Sequence, residues 1–189
     1  MEQGGPVVAG IDPPDVEAGQ VVASGVTPTG LRVDLEGYDA ERTIATPSPY
    51  EEWPEGDKLM PPHNARLLVA VTDAEGVTAV AGALSWHLEA YGPTQGSFAW
   101  NIGIGLSEAC RGHGVGTVAQ RLLAQWLLAS SPLDRIEAST DVENVAEQRS
   151  LEKAGFTREG TLRGAQARAD GQHDLYSYSL LRSDLVASE

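Results

Sequence analysis

Three glycines alternate with other residues in segment 111–117, between a strand-like stretch at 102–106 and a helix-like stretch at 118–129. Glycine lets main-chain N–H groups come close to an anion, because it carries no side chain. The N-terminus of a helix adds about half a positive charge at the same place. Segment 111–117 is therefore predicted to bind a phosphate group.

The spacing of these glycines excludes two common phosphate-binding motifs. A nucleoside-triphosphate loop needs a lysine before its Ser or Thr, but Thr117 follows Gly116 directly. A dinucleotide fingerprint needs a glycine three residues after Gly114, and that position is again Thr117. The fingerprint also belongs in the first strand–helix turn of a domain, whereas several predicted strands precede this turn. A different phosphate-bearing ligand is expected.

The charge balance narrows the classes of partner. The chain of 189 residues carries 27 acidic and 13 basic side chains, a formal charge of −14. Nucleic acid is a poor partner, because affinity for its backbone depends on clustered Lys and Arg. Cys110 is the single cysteine, which excludes an internal disulfide and a cysteine zinc cluster. No apolar run reaches about 18 residues and no secretory signal begins the chain, so we expect a cytoplasmic protein without a membrane span.

The periodicity of apolar residues predicts a mixed α/β fold. Strands are expected at 21–24, 31–35, 66–72, 77–89, 98–106 and 136–140, with a final hairpin of 157–166 and 173–181. Helices are expected at 38–45, 118–129 and 144–154. The longest of them has its apolar face at Val118, Leu122, Trp126 and Ala129, with Ala119 and Leu123 beside them. Segment 46–62 contains five prolines and is predicted to be a loop. The order is an antiparallel meander, a βαβα unit and a hairpin.

Two motifs at a fixed separation carry a resemblance to a known family. Arg111, Gly114 and Gly116 form the pattern Arg-x-x-Gly-x-Gly, while Asn144 opens the next predicted helix and Gly155-Phe156 closes it. This combination resembles the GNAT N-acetyltransferase superfamily. The stretch 141–144 together with the stretch 151–156 looks specifically like the RimJ/RimL-type branch. The resemblance implies a single-domain GNAT fold at 31–184, with a mostly antiparallel sheet that splays at the CoA site and helices that flank it. An arm at 1–30 and a tail at 185–189 would flank that domain.

The resemblance implies acetyl-CoA, or another acyl-CoA, as co-substrate and no metal. N–H groups of the turn would bind the CoA pyrophosphate, at Arg111, Gly112, His113, Gly114, Val115, Gly116 and Thr117. The preceding strand would pair with the pantetheine arm like an added strand, through Ile102, Gly103, Ile104 and Leu106. Asn144 would bind the arm or orient the thioester region, and its position also suits a helix N-cap. The two roles are compatible.

The implied reaction is direct attack of a neutral amine on the thioester, with a general base for the ammonium proton and an acid for the leaving thiolate. The candidate bases, on strands expected to face the cleft, are His87, Glu89 and Asn101. Many members of the superfamily have a tyrosine seven residues after the asparagine, where this chain has Leu151. RimJ/RimL-type members often have a serine three residues after it, where this chain has Glu147. Either Glu147, Ser150 or water would then supply the proton, or turnover would be slow. A solvated position on the helix surface is the alternative for Glu147.

Four aromatic residues are predicted to contact the acceptor, namely Tyr50, Trp53, Trp86 and Trp100. The first two lie in the proline-rich loop beside Glu51 and Glu52, so a cationic substrate is expected there. The acceptor would be a peptide or protein amino terminus or a small-molecule amine, and a homodimer is common in the superfamily. Because the usual acid residues are missing, a non-catalytic acyl-CoA-binding sensor or interaction module is the alternative.

Overall fold

One sheet of eight strands forms the centre of the protein. The computed structural model describes residues 11, 13, 15–54 and 65–186. Five strands form an antiparallel meander, β1 (Val21–Val26), β2 (Arg32–Gly37), β3 (Ala65–Thr72), β4 (Thr78–Ala90) and β5 (Phe98–Leu106). The bounds of β5 are the predicted ones, and those of the other four strands differ by one or two residues.

A βαβα unit and a hairpin complete the sheet. The remaining elements are α1 (Val115–Ser130), β6 (Arg135–Asp141), α2 (Val145–Ala154), β7 (Thr157–Arg168), β8 (Gly171–Leu181) and α3 (Arg182–Val186). The strand order is β1-β2-β3-β4-β5-β6-β8-β7. β5 and β6 run parallel, whereas the other neighbouring strands described are antiparallel. The predicted mixed α/β fold with a mostly antiparallel sheet is confirmed.

The strand predicted at 21–24 is present as β1, an edge strand that pairs with β2. Two other local features differ from the prediction. The helix predicted at 38–45 is reduced to the 3₁₀ turn Ala40–Arg42, because the backbone returns to an extended conformation at Thr43. At the other end, α3 extends into the predicted tail. Of the helices described, none is long and apolar enough to cross a membrane.

The buried face of α1 is rotated from the predicted one, although it includes the predicted Ala119 and Leu123. Its apolar buried residues are Val115, Ala119, Leu123, Ala124, Leu127 and Leu128. Ala129 is exposed, and Val118 and Leu122 are only half-buried. The last two face the edge strand, since a Cβ at Gly25 would lie 2.9 Å from Val118 and 3.4 Å from Leu122. The periodicity does not separate core contacts from contacts with β1, because both are apolar.

Two tryptophans fix α1 against the sheet. Trp86 of β4 meets Trp126 of α1 edge to face, with ring centroids 5.6 Å apart. Trp100 of β5 is 1% exposed and donates its indole N–H to Ser131 Oγ at the end of α1. Each buried aromatic side chain removes roughly 150–250 Å² from water, so these contacts position α1 firmly. These contacts therefore fix the position of the start of α1 relative to β5. The glycine-rich segment 111–117, here named the glycine turn, leads into that start.

Candidate functional site

A cavity lies where β5 and β6 separate. The two strands pair at three positions, Trp100–Ile136, Asn101–Glu137 and Ile102–Ala138. Beyond these pairs, β5 continues to Leu106 and β6 to Asp141, without a ladder pair between them among the described residues. The cavity has a volume of about 720 Å³ and is walled by the two separated strands, the glycine turn and α2. The predicted splay of the sheet is present.

The glycine turn forms the wall of the cavity at the start of α1. Gly112 and Gly114 have φ angles of 78° and 83°, which residues with a Cβ rarely adopt. Gly114 is the N-cap residue of α1, and within the described part of the chain no side chain caps this helix. The first N–H groups of α1 therefore lack a side-chain acceptor, which is the arrangement that an anion site requires.

The Arg111 guanidinium joins the end of β5 to the loop before Tyr50. Its Nε and Nη2 atoms donate to the main-chain oxygen of Leu106 at 3.0 and 2.8 Å. Nη2 also donates to the main-chain oxygen of Pro47 at 2.5 Å. Nε and Nη2 of Arg111 are therefore engaged within the protein.

Residues 46–54 are here named the crossing segment. Five of them line the cavity, namely Thr46, Ser48, Pro49, Tyr50 and Glu51. The hydroxyl of Tyr50 donates to the main-chain oxygen of Glu143 at 3.3 Å, just before α2. The main-chain oxygen of Glu52 accepts from Ala169 N at 2.9 Å, at the turn between β7 and β8. Together with the Pro47–Arg111 contact, these bonds attach the crossing segment to the glycine turn, to α2 and to the final hairpin.

Asn144 and Ser150 place α2 against the glycine turn. Oδ1 of Asn144 accepts from Glu147 N at 3.3 Å, so Asn144 is the N-cap of α2. Ser150 Oγ lies 3.3 Å from Thr117 Oγ1 in α1. Both residues line the cavity. The capping role of Asn144 is present, and its role toward a cofactor stays a prediction.

Glu147 lies in the first turn of α2 and lines the cavity beside α1. Gln120 Nε2 donates to Glu147 Oε1 at 2.5 Å, and Gln120 itself is 1% exposed. Burial raises the pKa of Glu147 to about 7, although the hydrogen bond from Gln120 favours the ionised form. At neutral pH this carboxyl can therefore both hold and release a proton.

Glu51 of the crossing segment is a second carboxyl in the cavity. Although solvent reaches it, the surrounding protein desolvates the group and raises its pKa. The positive charges of Arg111 and Arg168 oppose this increase. Glu51 thus lies near two cations that already have other partners. Arg111 donates to main-chain oxygens, and Arg168 forms an ion pair with Asp141.

A buried ion pair closes the cavity toward the final hairpin. Nη1 of Arg168 lies 2.7 Å from Asp141 Oδ2, and the two side chains are 4% and 2% exposed. Arg168 also donates to Gln166 Oε1, and Asp141 Oδ1 accepts from Glu143 N. These bonds offset the cost of removing two charges from water. The pair connects the end of β7 to the end of β6, just before the chain enters α2.

Most residues predicted to bind CoA line this cavity, namely Ile102, Gly103, Ile104, Leu106, Arg111, Gly112, Gly114, Gly116, Thr117 and Asn144. His113 and Val115 instead border a smaller hollow on the other side of the turn, with Thr29 and Cys110. Both predicted acids, Glu147 and Ser150, line the cavity. The roles assigned to all these residues remain predictions.

The predicted bases lie on a different part of the sheet. His87, Asn101, Glu137 and Ser179 are neighbours across four strands, on the face opposite to Trp86. His87 Nε2 lies 3.0 Å from Glu89 Oε1, so the predicted sharing of one face is correct. His87, Glu89 and Asn101 do not line the cavity, however. Their position gives no support to a catalytic role.

Of the predicted acceptor contacts, Tyr50 lines the cavity. Trp53 is 39% exposed and lies outside the cavity lining. Trp86 and Trp100 are buried in the core, where they pack against α1 and its C-terminal end. Their size makes them structural anchors, and they offer no surface to an acceptor.

Gln120 and Arg168 line the cavity but are absent from the residues predicted from sequence. The sequence does contain a sign of a buried polar contact at Gln120, because a glutamine within the apolar stretch of a helix is rarely buried without a partner. Arg168 gives no such signal. Its partner Asp141 lies in another strand, and only the register of β6, β8 and β7 brings the two together.

This fold is that of a family of acetyltransferases. The family described as acetyltransferase (GNAT) domain matches residues 38–157. The chain therefore belongs to the GNAT acetyltransferase family, whose members use acetyl-CoA.

Individual relatives agree with this assignment. YjcK of Bacillus subtilis (strain 168), a probable N-acetyltransferase, is 42% identical over 62 residues, which cover 33% of this chain and 34% of YjcK. The match thus spans about a third of that relative. A probable GNAT acetyltransferase from Chromobacterium violaceum ATCC 12472 shares the fold with a TM-score of 0.65, 22% identity and 98% of both chains covered. The ribosomal-protein-S5-alanine acetyltransferase from Vibrio fischeri has a TM-score of 0.52, 21% identity and 63% of both chains covered.

A carboxylate introduced at the glycine turn should weaken CoA binding. Gly112 and Gly76 both have positive φ angles, 78° and 82°, and a Cβ on either would meet no atom within 4 Å. Gly112→Asp and Gly76→Asp therefore impose similar backbone strain, and Gly112 alone of the two lines the cavity. We expect CoA affinity, measured by calorimetry, to fall about tenfold in Gly112→Asp through charge repulsion. Equal affinities of the two variants would contradict a phosphate site at this turn.

Glu147 should make stability depend on pH. Its pKa is raised from an ordinary 4.5 to about 7, so the folded state binds more protons than the unfolded state between these values. The contribution of Glu147 to the free energy of unfolding is fully present below pH 4.5, and it decreases as the pH rises toward 7. We expect Glu147→Gln to be more stable than the native protein by roughly 2–3 kcal/mol above that range and equal to it below. Urea unfolding at a series of pH values measures this, with the exposed Glu75→Gln as control, and a constant difference would refute the assigned titration.

Proposed function

We propose that the protein is an acetyl-CoA-dependent N-acetyltransferase that moves the acetyl group to a primary amine. The observation that carries the proposal is the uncapped start of α1 at the mouth of the gap between β5 and β6. The N–H groups there suit a pyrophosphate, and the free edge of β5 suits the amide groups of pantetheine. The arrangement of Asn144 and Gly155-Phe156 favours a place near the RimJ/RimL-type branch.

Glu51 and Tyr50 support a cationic acceptor. They lie side by side on the crossing segment and line the end of the cavity that faces the final hairpin. Arg168 and Arg111 are held by Asp141 and by main-chain oxygens, so Glu51 keeps a carboxylate for an incoming ammonium group. An amine on a peptide amino terminus or on a small molecule meets this requirement. When the amine is bound, Glu51 is also placed to accept the proton that the ammonium group must lose before it attacks the thioester.

Glu147 is the proton donor in this proposal. The amine nitrogen bonds to the thioester carbonyl carbon, the C–S bond breaks, and the leaving sulfur takes a proton. Leu151 offers no acidic proton, whereas Glu147 lines the cavity and titrates near neutral pH. Ser150 is the alternative donor, although its hydroxyl is next to Thr117.

Thiol release from acetyl-CoA tests the function directly. The native protein should release CoA thiol when given peptides with free amino termini, diamines or amino acids, and an N-acetylated peptide is the matched negative control. Glu147→Gln should lower kcat by about 100-fold, the usual contribution of a positioned acid. CoA binding without thiol release from any amine would support the alternative of a non-catalytic acyl-CoA-binding module.

The acceptor site is tested by two adjacent carboxylates. Glu51→Gln should raise KM for a diamine by roughly threefold to tenfold, because it removes a partly desolvated charge. Glu52 is also exposed on the crossing segment but lies outside the cavity lining, so Glu52→Gln should leave KM unchanged. Neither variant should alter KM for acetyl-CoA. Identical effects of the two variants would show that only overall surface charge matters.

A further inference from the structure

Gln120 has a buried oxygen without a partner. Its Nε2 donates to Glu147 Oε1, but its Oε1 is buried and accepts no hydrogen bond from any described residue. An unsatisfied buried acceptor costs about 1–3 kcal/mol. An ionised Glu147 cannot help, because a carboxylate has no proton to donate. With Glu147 ionised, the contact between α1 and α2 therefore retains an unpaired carbonyl group.

Protonation of Glu147 removes this deficit. A carboxylic acid and a primary carboxamide can form two hydrogen bonds in one ring, since each group has one donor and one acceptor on the same side. The first bond, from Gln120 Nε2 to Glu147 Oε1, is present. The second needs a proton on Glu147 Oε2, and its acceptor would be the unpartnered Oε1 of Gln120.

No neighbouring charge substitutes for that proton. The charged residues that line the same cavity are Glu51 of the crossing segment, Arg111 of the glycine turn, Asp141 and Glu143 before α2, Arg149 and Lys153 of α2, and Arg168 of β7. None of these described groups contributes to the raised pKa of Glu147, which burial causes and the bond from Gln120 opposes. Glu147 is therefore balanced between its two states by Gln120 and by desolvation alone.

We propose that protonated Glu147 forms a carboxamide–carboxylic acid pair with Gln120, in which Glu147 Oε2 donates its proton to the unpartnered Oε1 of Gln120 while Gln120 Nε2 donates to Glu147 Oε1. Gln120 is a positioning residue in this pair. The destination of the proton rests on the proposed function: it passes to the leaving sulfur as the C–S bond breaks, and Gln120 Nε2 continues to bind the carboxylate that remains. The amine releases one proton as it becomes an amide, and this proton or one from solvent restores Glu147.

Infrared difference spectroscopy of the protein without substrates tests the pair. Spectra recorded at a series of pH values from about 3 to about 9 cover both the raised and the ordinary pKa of Glu147. We expect a protonated-carboxyl C=O band that disappears with a midpoint near 7 and is missing in Glu147→Gln. A midpoint at the ordinary value of 4.5, or a band that persists in Glu147→Gln, would overturn the proposal.

The role of Gln120 is tested by a side chain of similar length without hydrogen-bonding groups. In Gln120→Met the carboxyl band should move to higher frequency, because its C=O group loses the N–H donor. Gln125 is a half-buried glutamine elsewhere on α1, so Gln125→Met is the matched control and should leave the band unchanged. A band at the same frequency in the native protein and Gln120→Met would refute the pairing. If Gln120→Met does not fold, the comparison of the native protein with Glu147→Gln still decides where the proton resides.

The outcome is separate from the test of the enzyme itself. The spectra need no acetyl-CoA and no amine, so the pair is established or refuted even if no acceptor is found. An absence of thiol release would refute the proposed function and leave the pair intact. Conversely, a protein that releases thiol but shows no such band would retain the function and lose this inference.

Discussion

The separation of β5 from β6 is the constraint on which the site depends. Main-chain N–H and C=O groups need partners, and neighbouring strands normally supply them. After Ile102 and Ala138 the two strands part, and the edge of β5 faces a cavity of about 720 Å³ instead. The connection from β5 to β6 runs through α1, so the helix begins at the mouth of this gap. A free strand edge and a free helix terminus are thereby created together, and a ligand with amide and phosphate groups can satisfy both.

The charge distribution explains how an acidic protein can hold an anionic ligand. The formal charge of −14 repels polyanions at long range. Close to the glycine turn, main-chain dipoles provide the attraction, since the Arg111 guanidinium is already bonded to two carbonyl groups. Arg149 and Lys153 add cationic charge on α2 at the same cavity. A neutral, protonated Glu147 fits this setting better than another negative charge would.

The sequence predicted most of the helices and strands, but not which of their faces meet the core or the cavity. The glycine turn, β5 and the two main helices follow from local patterns, and all of them take part in the site. Alternation along β4 placed His87 and Glu89 on one face correctly, yet it does not reveal which face of a sheet meets a cavity. The rotation of α1 depends on packing against Gly25, a residue about 90 positions from Val115. Gln120 and Arg168 escaped prediction because their partners, Glu147 and Asp141, are brought close only by the tertiary fold.

The way in which Arg111 holds the crossing segment has a consequence for how the site responds to acid and base. Its acceptors are the carbonyl oxygens of Leu106 and Pro47, which do not titrate, and a guanidinium stays charged throughout the physiological range. The Tyr50–Glu143 and Ala169–Glu52 bonds also end on main-chain oxygens. These bonds of the crossing segment are therefore insensitive to proton concentration, whereas the pKa of Glu147 inside the cavity lies near 7. The attachment of the crossing segment is thus the same whether Glu147 holds its proton or has released it.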